Sequence, residues 1–196
     1  MRIEIRSDSI LVDGYVNAVA RDSRPILDKR TGERFIEQIV PGAFKRAIQQ
    51  NEVKLLLDHD ETRVLGSTET NLKLYEDNIG LRAIAEITDQ EVIKKAREKK
   101  LRGWSFGFCE LSASEEETVK GLRRRYVEDL ILEEVSIIDE KKIPCYTGTS
   151  IETRADGEKV AKTEVLETRA VYTETVPETK VDLNKYKNRI KELEEK

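Results

Sequence analysis

The feature that most constrains the fold is a series of short segments in which apolar and polar residues alternate. Residues 1–6 and 79–87 show the pattern clearly, and polar turn sequences such as Asp77-Asn78 separate such segments. A period of two places successive side chains on opposite faces, which is typical of half-buried β-strands. The chain is therefore predicted to fold mainly as antiparallel pairs of short strands.

Two stretches have the spacing of a helix instead. Residues 42–50 follow Pro41, which the first turn of a helix tolerates, and their apolar residues share one face. Asp89 is a suitable N-cap for a second helix that runs to about Lys100. Many short strands with two inserted helices indicate an α+β fold, a small mainly antiparallel β-barrel or sandwich with peripheral helices.

The composition changes near residue 148. Charged residues make up 38% of the chain, above the roughly 25% of an average globular protein, and many of them lie beyond this point. We therefore expect a folded domain over residues 1–147 and a flexible linker over residues 148–182. Residues 183–196 carry apolar residues at helical spacing and are predicted to form a short amphipathic helix.

Charge and apolar content exclude several classes of function. A net charge of −4 offers no basic surface for nucleic acid, and no apolar run reaches the roughly 18 residues of a membrane span. Without a signal-like segment, we expect a soluble protein of the cytoplasm. One histidine and two distant cysteines, Cys109 and Cys145, do not make a zinc site, so we expect no metal, no cofactor and two partly buried cysteines.

The single histidine, His59, follows the apolar run Leu55-Leu56-Leu57, which is predicted to be a buried strand. Imidazole can accept and return a proton near neutral pH, so His59 is the one candidate for histidine-dependent acid–base chemistry. The tripeptide Asp58-His59-Asp60 by itself favours the simpler interpretation, a surface residue at a strand end. A general base would also need a nucleophile and an orienting acid elsewhere in the chain.

Ser105 and Glu134 are candidates for those two roles. Ser105 lies among aromatic residues, and Gly107 would let a substrate backbone approach closely, although an outward hydroxyl on a barrel strand is an equal alternative. Glu134 lies in a largely apolar strand, where a carboxylate is costly unless it is paired, although a position at a barrel rim also explains it. Asp58 and Asp60 flank the histidine, but adjacent strand residues point to opposite faces, so both are awkwardly placed to orient the ring.

Four blocks of sequence carry a family resemblance through their order and spacing. They are Ile39-Val40-Pro41-Gly42-Ala43-Phe44, Leu57-Asp58-His59-Asp60 with Leu65-Gly66, Gly103-Trp104-Ser105-Phe106-Gly107-Phe108, and Leu132-Glu133-Glu134-Val135-Ser136-Ile137. With these blocks the chain resembles the tailed-phage (caudovirus) prohead maturation serine protease family, which is related in fold to the herpesvirus capsid-assembly proteases. The resemblance implies a compact β-barrel ringed by helices.

The resemblance also implies the chemistry. Members of the family are serine endopeptidases, so the match implies Ser105 as nucleophile, His59 as general base and Glu134 as orienting acid. The herpesvirus relatives use a second histidine at the third place, and this chain has only one histidine. Asp58 and Asp60 therefore remain alternatives to Glu134.

The same resemblance implies where the protein acts. Its substrates would be the major capsid protein with its scaffold segment, inside the immature procapsid in the host cytoplasm, and then the protease itself within residues 148–182. The herpesvirus relatives imply a homodimer, and the C-terminal extension would take the protease into the assembling shell. Backbone amides after Ile138, with Lys141 or Lys142, are candidates for the oxyanion hole. A non-catalytic scaffold or capsid-assembly protein on the same barrel is the alternative function.

Overall fold

A computed structural model describes residues 1–28, 31–118 and 121–140, together with the backbone of residues 171–174. These residues form eleven strands and two helices. The strands are β1 (Arg2–Ile5), β2 (Ile10–Ala18), β3 (Ile26–Leu27), β4 (Arg34–Ile39), β5 (Lys54–Leu57), β6 (Asp60–Ser67), β7 (Leu72–Glu76), β8 (Gly80–Ile87), β9 (Leu101–Glu117), β10 (Arg123–Asp139) and β11 (Val171–Glu174). The helices are α1 (Ala43–Ala47) and α2 (Gln90–Arg97).

The described strands form two sheets. The first has the order β11-β1-β2-β8-β7, and the second has the order β3-β4-β10-β5-β6 with β9 on the other edge of β10. The long strand β10 organises the second sheet, because β4 and β5 pair in parallel with its first and second halves. β9 pairs antiparallel with β10 over nearly its whole length. β10 therefore brings together strands from three separate parts of the chain.

Both sheets and both helices contribute to one apolar core. Alternate residues of the central strands point into it, among them Leu55 and Leu57 of β5 and Ile137 of β10. Helix α1 covers this face of the second sheet through an edge-to-face contact of Phe44 with Phe106, whose ring centroids are 5.3 Å apart. The intervening residues of β5, β9 and β10 lie on the opposite face of the sheet, where the candidate site residues are found.

The α+β class and the two helices predicted from the sequence are confirmed. Asp89 is the N-cap of α2, and its side chain accepts a hydrogen bond from the backbone N–H of Val92 at 3.0 Å. Neither described sheet closes on itself through its strand pairings, so a closed barrel stays a prediction. Among the described residues, none of the helices has the length and apolar character that a membrane span requires.

From its polar composition, the stretch 112–121 is predicted to be a loop or a hairpin connection. The hairpin is confirmed, because β9 and β10 are consecutive antiparallel strands, but a loop is wrong for residues 112–117. β9 continues as far as Glu117, opposite the first residues of β10. Charged side chains pair across the two strands, as Arg124 does with Glu116 at 2.7 Å. Opposite charges on facing strands stabilise such a ladder without apolar residues, so the alternation rule misses it.

The structure describes only part of the predicted C-terminal tail. Within the predicted linker, Val171–Glu174 forms β11 and pairs in parallel with β1. The remaining linker residues, the predicted helix 183–196 and Cys145 lie outside the described residues. Cys109 is a free, exposed thiol, so the prediction that it is partly buried is wrong.

Candidate active site

His59 lies in a two-residue turn that joins β5 to β6. The two central residues, Asp58 and His59, have φ angles of 56° and 58°, and Leu57 pairs with Asp60 across the hairpin. Positive φ at both central positions is typical of a type I′ hairpin turn, which usually contains asparagine or glycine. Each residue other than glycine that adopts this left-handed backbone conformation costs the folded state about 1 kcal/mol. The turn therefore needs contacts from its surroundings to hold this conformation.

Those contacts come from the end of β10. The backbone N–H of Asp58 donates to the carbonyl oxygen of Ile137 at 2.9 Å. The carboxylate of Asp58 accepts from the backbone N–H of Asp139 at 2.9 Å. The backbone N–H of His59 donates to the hydroxyl of Ser136 at 3.0 Å. Three residues near the C-terminal end of β10 thus hold the histidine turn in place.

The imidazole of His59 contacts a carboxylate on β10, the strand that also holds the turn. His59 Nδ1 lies 2.6 Å from Glu134 Oε1, with the two side chains 36% and 12% exposed. A carboxylate at Nδ1 favours the tautomer that carries its proton there, which leaves Nε2 available as a base. The other oxygen of Glu134, Oε2, accepts a hydrogen bond from the Ser136 hydroxyl at 2.6 Å. Both oxygens of the carboxylate are therefore held.

Ser105 lies on the neighbouring strand β9, directly opposite Ser136. Side chains at directly opposite positions share one face, with Cβ atoms about 5 Å apart. Because Glu134 lies two residues from Ser136, Ser105 also shares a sheet face with Glu134. Ser105 is 8% exposed, and within the part of the chain that the structure describes no hydrogen bond joins it to His59. The structure thus brings His59 and Glu134 into contact, and the strand register puts Ser105 on the sheet face that bears Glu134.

Gly107 makes room for the carboxylate of Glu134. The two residues pair across β9 and β10, and a Cβ at position 107 would lie 2.6 Å from Glu134 Oε1. Real Cβ atoms essentially never approach another heavy atom so closely. Glycine at position 107 therefore leaves the space that the Glu134 carboxylate occupies. The sequence interpretation did not predict this packing.

The other carboxylates near His59 have different partners. Asp58 binds the amide of Asp139, and burial, with the nearby Asp139 carboxylate, raises the pKa of Asp58 above its usual value. Asp60 accepts hydrogen bonds from the backbone N–H and the hydroxyl of Thr62 at 2.9 and 2.6 Å. Glu133 is exposed at the irregularity in the β9–β10 register between Leu132 and Glu134. Of these carboxylates, Glu134 is the one that the structure places against the ring.

A buried ion pair lies behind the histidine turn. Asp139 is fully buried, and its Oδ2 lies 2.7 Å from Lys95 Nζ of α2, which also contacts Glu91 at 2.9 Å. Burial lowers the pKa of Lys95, but hydrogen bonds to Asp139 and Glu91 raise it by more, so that it lies above its usual value. Helix α2 therefore supports the segment of β10 that binds Asp58.

Sequence reasoning did not assign roles to Ser136, Asp139 or Lys95. Ser136 had a detectable signal, because it is a polar residue in an apolar strand at two residues from Glu134. Lys95 had none, because a lysine in an amphipathic helix is ordinarily solvated.

The candidate oxyanion residues Lys141 and Lys142 lie outside the described residues. Over residues 1–28, 31–118 and 121–140, no three His, Cys, Asp or Glu side chains cluster in a way that could hold a metal ion.

Comparison with known proteins identifies the class to which this protein belongs. The model of the caudovirus prohead serine protease family matches residues 1–187, nearly the whole chain. The protein is therefore a serine peptidase. It belongs to the caudovirus prohead serine protease family, as the four sequence blocks indicate. Among curated proteins, none matches the chain.

Proposed function

We propose that this chain matures the phage capsid by peptide-bond hydrolysis with Ser105 as nucleophile, His59 as general base and Glu134 as orienting acid. Membership of the prohead serine protease family supports a role in capsid maturation. The observation that carries the residue assignment is the 2.6 Å contact of His59 Nδ1 with Glu134, on the sheet face that also bears Ser105. No other histidine in the chain could take this role.

In this mechanism the Ser105 hydroxyl attacks the carbonyl carbon of the scissile peptide bond. Nε2 of His59 takes the hydroxyl proton and returns it to the nitrogen of the leaving amine, so that an acyl-enzyme remains on Ser105. A water molecule, deprotonated by the same nitrogen, then attacks the acyl carbon. The ester bond to Ser105 breaks, Nε2 returns the proton to the serine oxygen, and the new carboxylate is released. Glu134 holds the productive tautomer throughout and stabilises the positive charge that His59 carries in each transition state.

The substrates in this proposal are the major capsid protein with its scaffold segment, and the tail of the protease itself. Residues 148–182 are the proposed self-cleavage region, because their sequence is low in hydrophobicity and highly charged, which is typical of extended chain that a protease can bind. Cleavage within Val171–Glu174 would first require this strand to leave β1. The proposal places both reactions inside the procapsid in the host cytoplasm, with the protease as a homodimer. It also includes the closed barrel of the family, which the core shared by the two sheets supports.

The test compares Ser105→Ala with Ser112→Ala, which removes an exposed hydroxyl from the same strand. Each variant is co-expressed with the capsid precursor of the same phage, and intact masses of both proteins are recorded. We expect Ser105→Ala to stay folded and leave both proteins uncut, while Ser112→Ala processes both at the wild-type rate. Trimming by Ser105→Ala at the wild-type rate would show that the nucleophile is another residue.

The same experiment separates the enzyme from a scaffold protein. A wild-type protein that yields no fragment ending within residues 148–182 and leaves the capsid precursor intact, with normal shells formed by Ser105→Ala, would favour a non-catalytic assembly role. Processing by wild type and its loss in Ser105→Ala would exclude that role as the full account.

A further inference from the structure

Ser136 is a fully buried polar residue at the centre of the candidate site. Its hydroxyl makes two hydrogen bonds at once. It accepts the backbone N–H of His59 at 3.0 Å and donates to Glu134 Oε2 at 2.6 Å. On its other side it pairs directly with Ser105 across β9 and β10. One side chain therefore touches two of the proposed catalytic residues and neighbours the third.

Only a side chain that both donates and accepts can make these two contacts. The N–H of His59 requires an acceptor, and the ionised carboxylate of Glu134 requires a donor. The bond to the carboxylate is charge-assisted and therefore among the stronger hydrogen bonds in proteins. An apolar side chain would leave both partners without their bond in a water-poor environment, which is costly.

We propose that Ser136 is a positioning residue for catalysis, which fixes the backbone of His59 and the carboxylate of Glu134 relative to each other through one hydroxyl. This inference rests on the proposed triad. Glu134 is held through Oε1 by the ring and through Oε2 by Ser136, so the loss of the hydroxyl frees the carboxylate to rotate. The left-handed turn simultaneously loses its bond at His59, which is one of the contacts that hold its conformation.

The expected effect on the reaction follows from geometry. Displacement of a catalytic group by about 1 Å can lower a rate on the order of 100-fold. Ser136→Ala should therefore slow cleavage of the capsid precursor about 10- to 100-fold. Ser136→Thr, which retains the hydroxyl, should recover most of that rate.

The single histidine provides a spectroscopic test that is independent of activity. His59 is the single histidine of the chain, so in protein labelled with ¹⁵N at histidine alone both the imidazole signals and the one backbone amide signal come from this residue. In Ser105→Ala protein, which should not digest itself, we expect a downfield Nδ1–H proton and a His59 backbone amide protected from hydrogen exchange. Adding Ser136→Ala should broaden or remove the Nδ1–H signal and abolish the amide protection, and adding Ser136→Thr should preserve both.

These outcomes distinguish the inference from the proposal on which it rests. Undiminished cleavage by Ser105→Ala would refute the nucleophile assignment, while the His59 spectra would still report on Ser136. Folded Ser136→Ala protein with wild-type spectra and a wild-type rate would overturn the role of Ser136. Should Ser136→Ala fail to fold, hydrogen exchange in the Ser105→Ala protein decides. Protection of the His59 amide supports the role, and exchange at the rate of a free amide overturns it.

Discussion

The close approach of Gly107 to Glu134 yields a prediction that is specific to catalysis. In Gly107→Ala, the new Cβ would lie 2.6 Å from Glu134 Oε1, whereas ordinary van der Waals contact begins at 3.4 Å. The carboxylate must therefore move by about 0.8 Å, the difference between these two distances. Because Oε1 also contacts His59 Nδ1 at 2.6 Å, the movement can stretch that contact beyond the roughly 3.2 Å limit of a normal hydrogen bond.

The substitution should lower activity far more than stability. A misplacement of this size lowers a rate on the order of 100-fold. The steric cost to the fold is offset in part because alanine restricts the unfolded chain more than glycine does, which stabilises by about 0.4–1 kcal/mol. We therefore expect Gly107→Ala to melt close to wild type and to process the capsid precursor about 100 times more slowly.

The assay combines precursor cleavage, followed by intact mass, with the Nδ1–H resonance of His59. A double-mutant cycle with Glu134→Ala supplies the control, because without the carboxylate the added methyl group has no atom to displace. Gly107→Ala should cost nothing further in that background. Wild-type cleavage and an unchanged His59 resonance in Gly107→Ala would refute the reasoning.

Two further predictions concern the support behind the histidine turn. Burial and the nearby Asp139 raise the pKa of Asp58, so ionisation of Asp58 destabilises the folded state. The melting temperature of Asp58→Asn minus that of wild type should therefore increase as the pH rises from about 4 to 7. A difference that does not change with pH would contradict this. Lys95→Met leaves the fully buried Asp139 without its Lys95 partner and should cost about 3 kcal/mol, or about 6–12 °C in Tm by calorimetry. Lys94→Met, at the exposed neighbouring position, should change the free energy of unfolding by less than about 0.5 kcal/mol, and equal losses from both variants would rule out a special role for Lys95.

Local sequence patterns predicted much of the fold and located part of the site. The alternating segments became strands, and Asp89 became the predicted helix cap. The apolar run before His59 identified a buried strand that ends at the histidine turn. A carboxylate in an apolar strand predicted that Glu134 needs a partner, and the ring of His59 is that partner in the structure.

The remaining features depend on strand register, which a local pattern does not contain. Gly107 was interpreted as space for a substrate, but the pairing of β9 with β10 shows that it accommodates Glu134. The contact between Lys95 and Asp139 joins residues 44 positions apart in the sequence. The polar end of β9 lacks the alternation of apolar residues that predicts a strand, because charge pairs hold it against β10 instead.

The central claim is that His59 and Glu134 activate Ser105 as a nucleophile. Its most direct test is treatment of the protein with a fluorophosphonate, which reacts covalently with activated serine hydroxyls, followed by mass spectrometry of its peptides. We expect one adduct, on the peptide that contains Ser105, which is absent from Ser105→Ala and strongly reduced in His59→Ala. Protein that cleaves its substrate but carries the adduct on another residue, or labels Ser105 equally without His59, would contradict the claim.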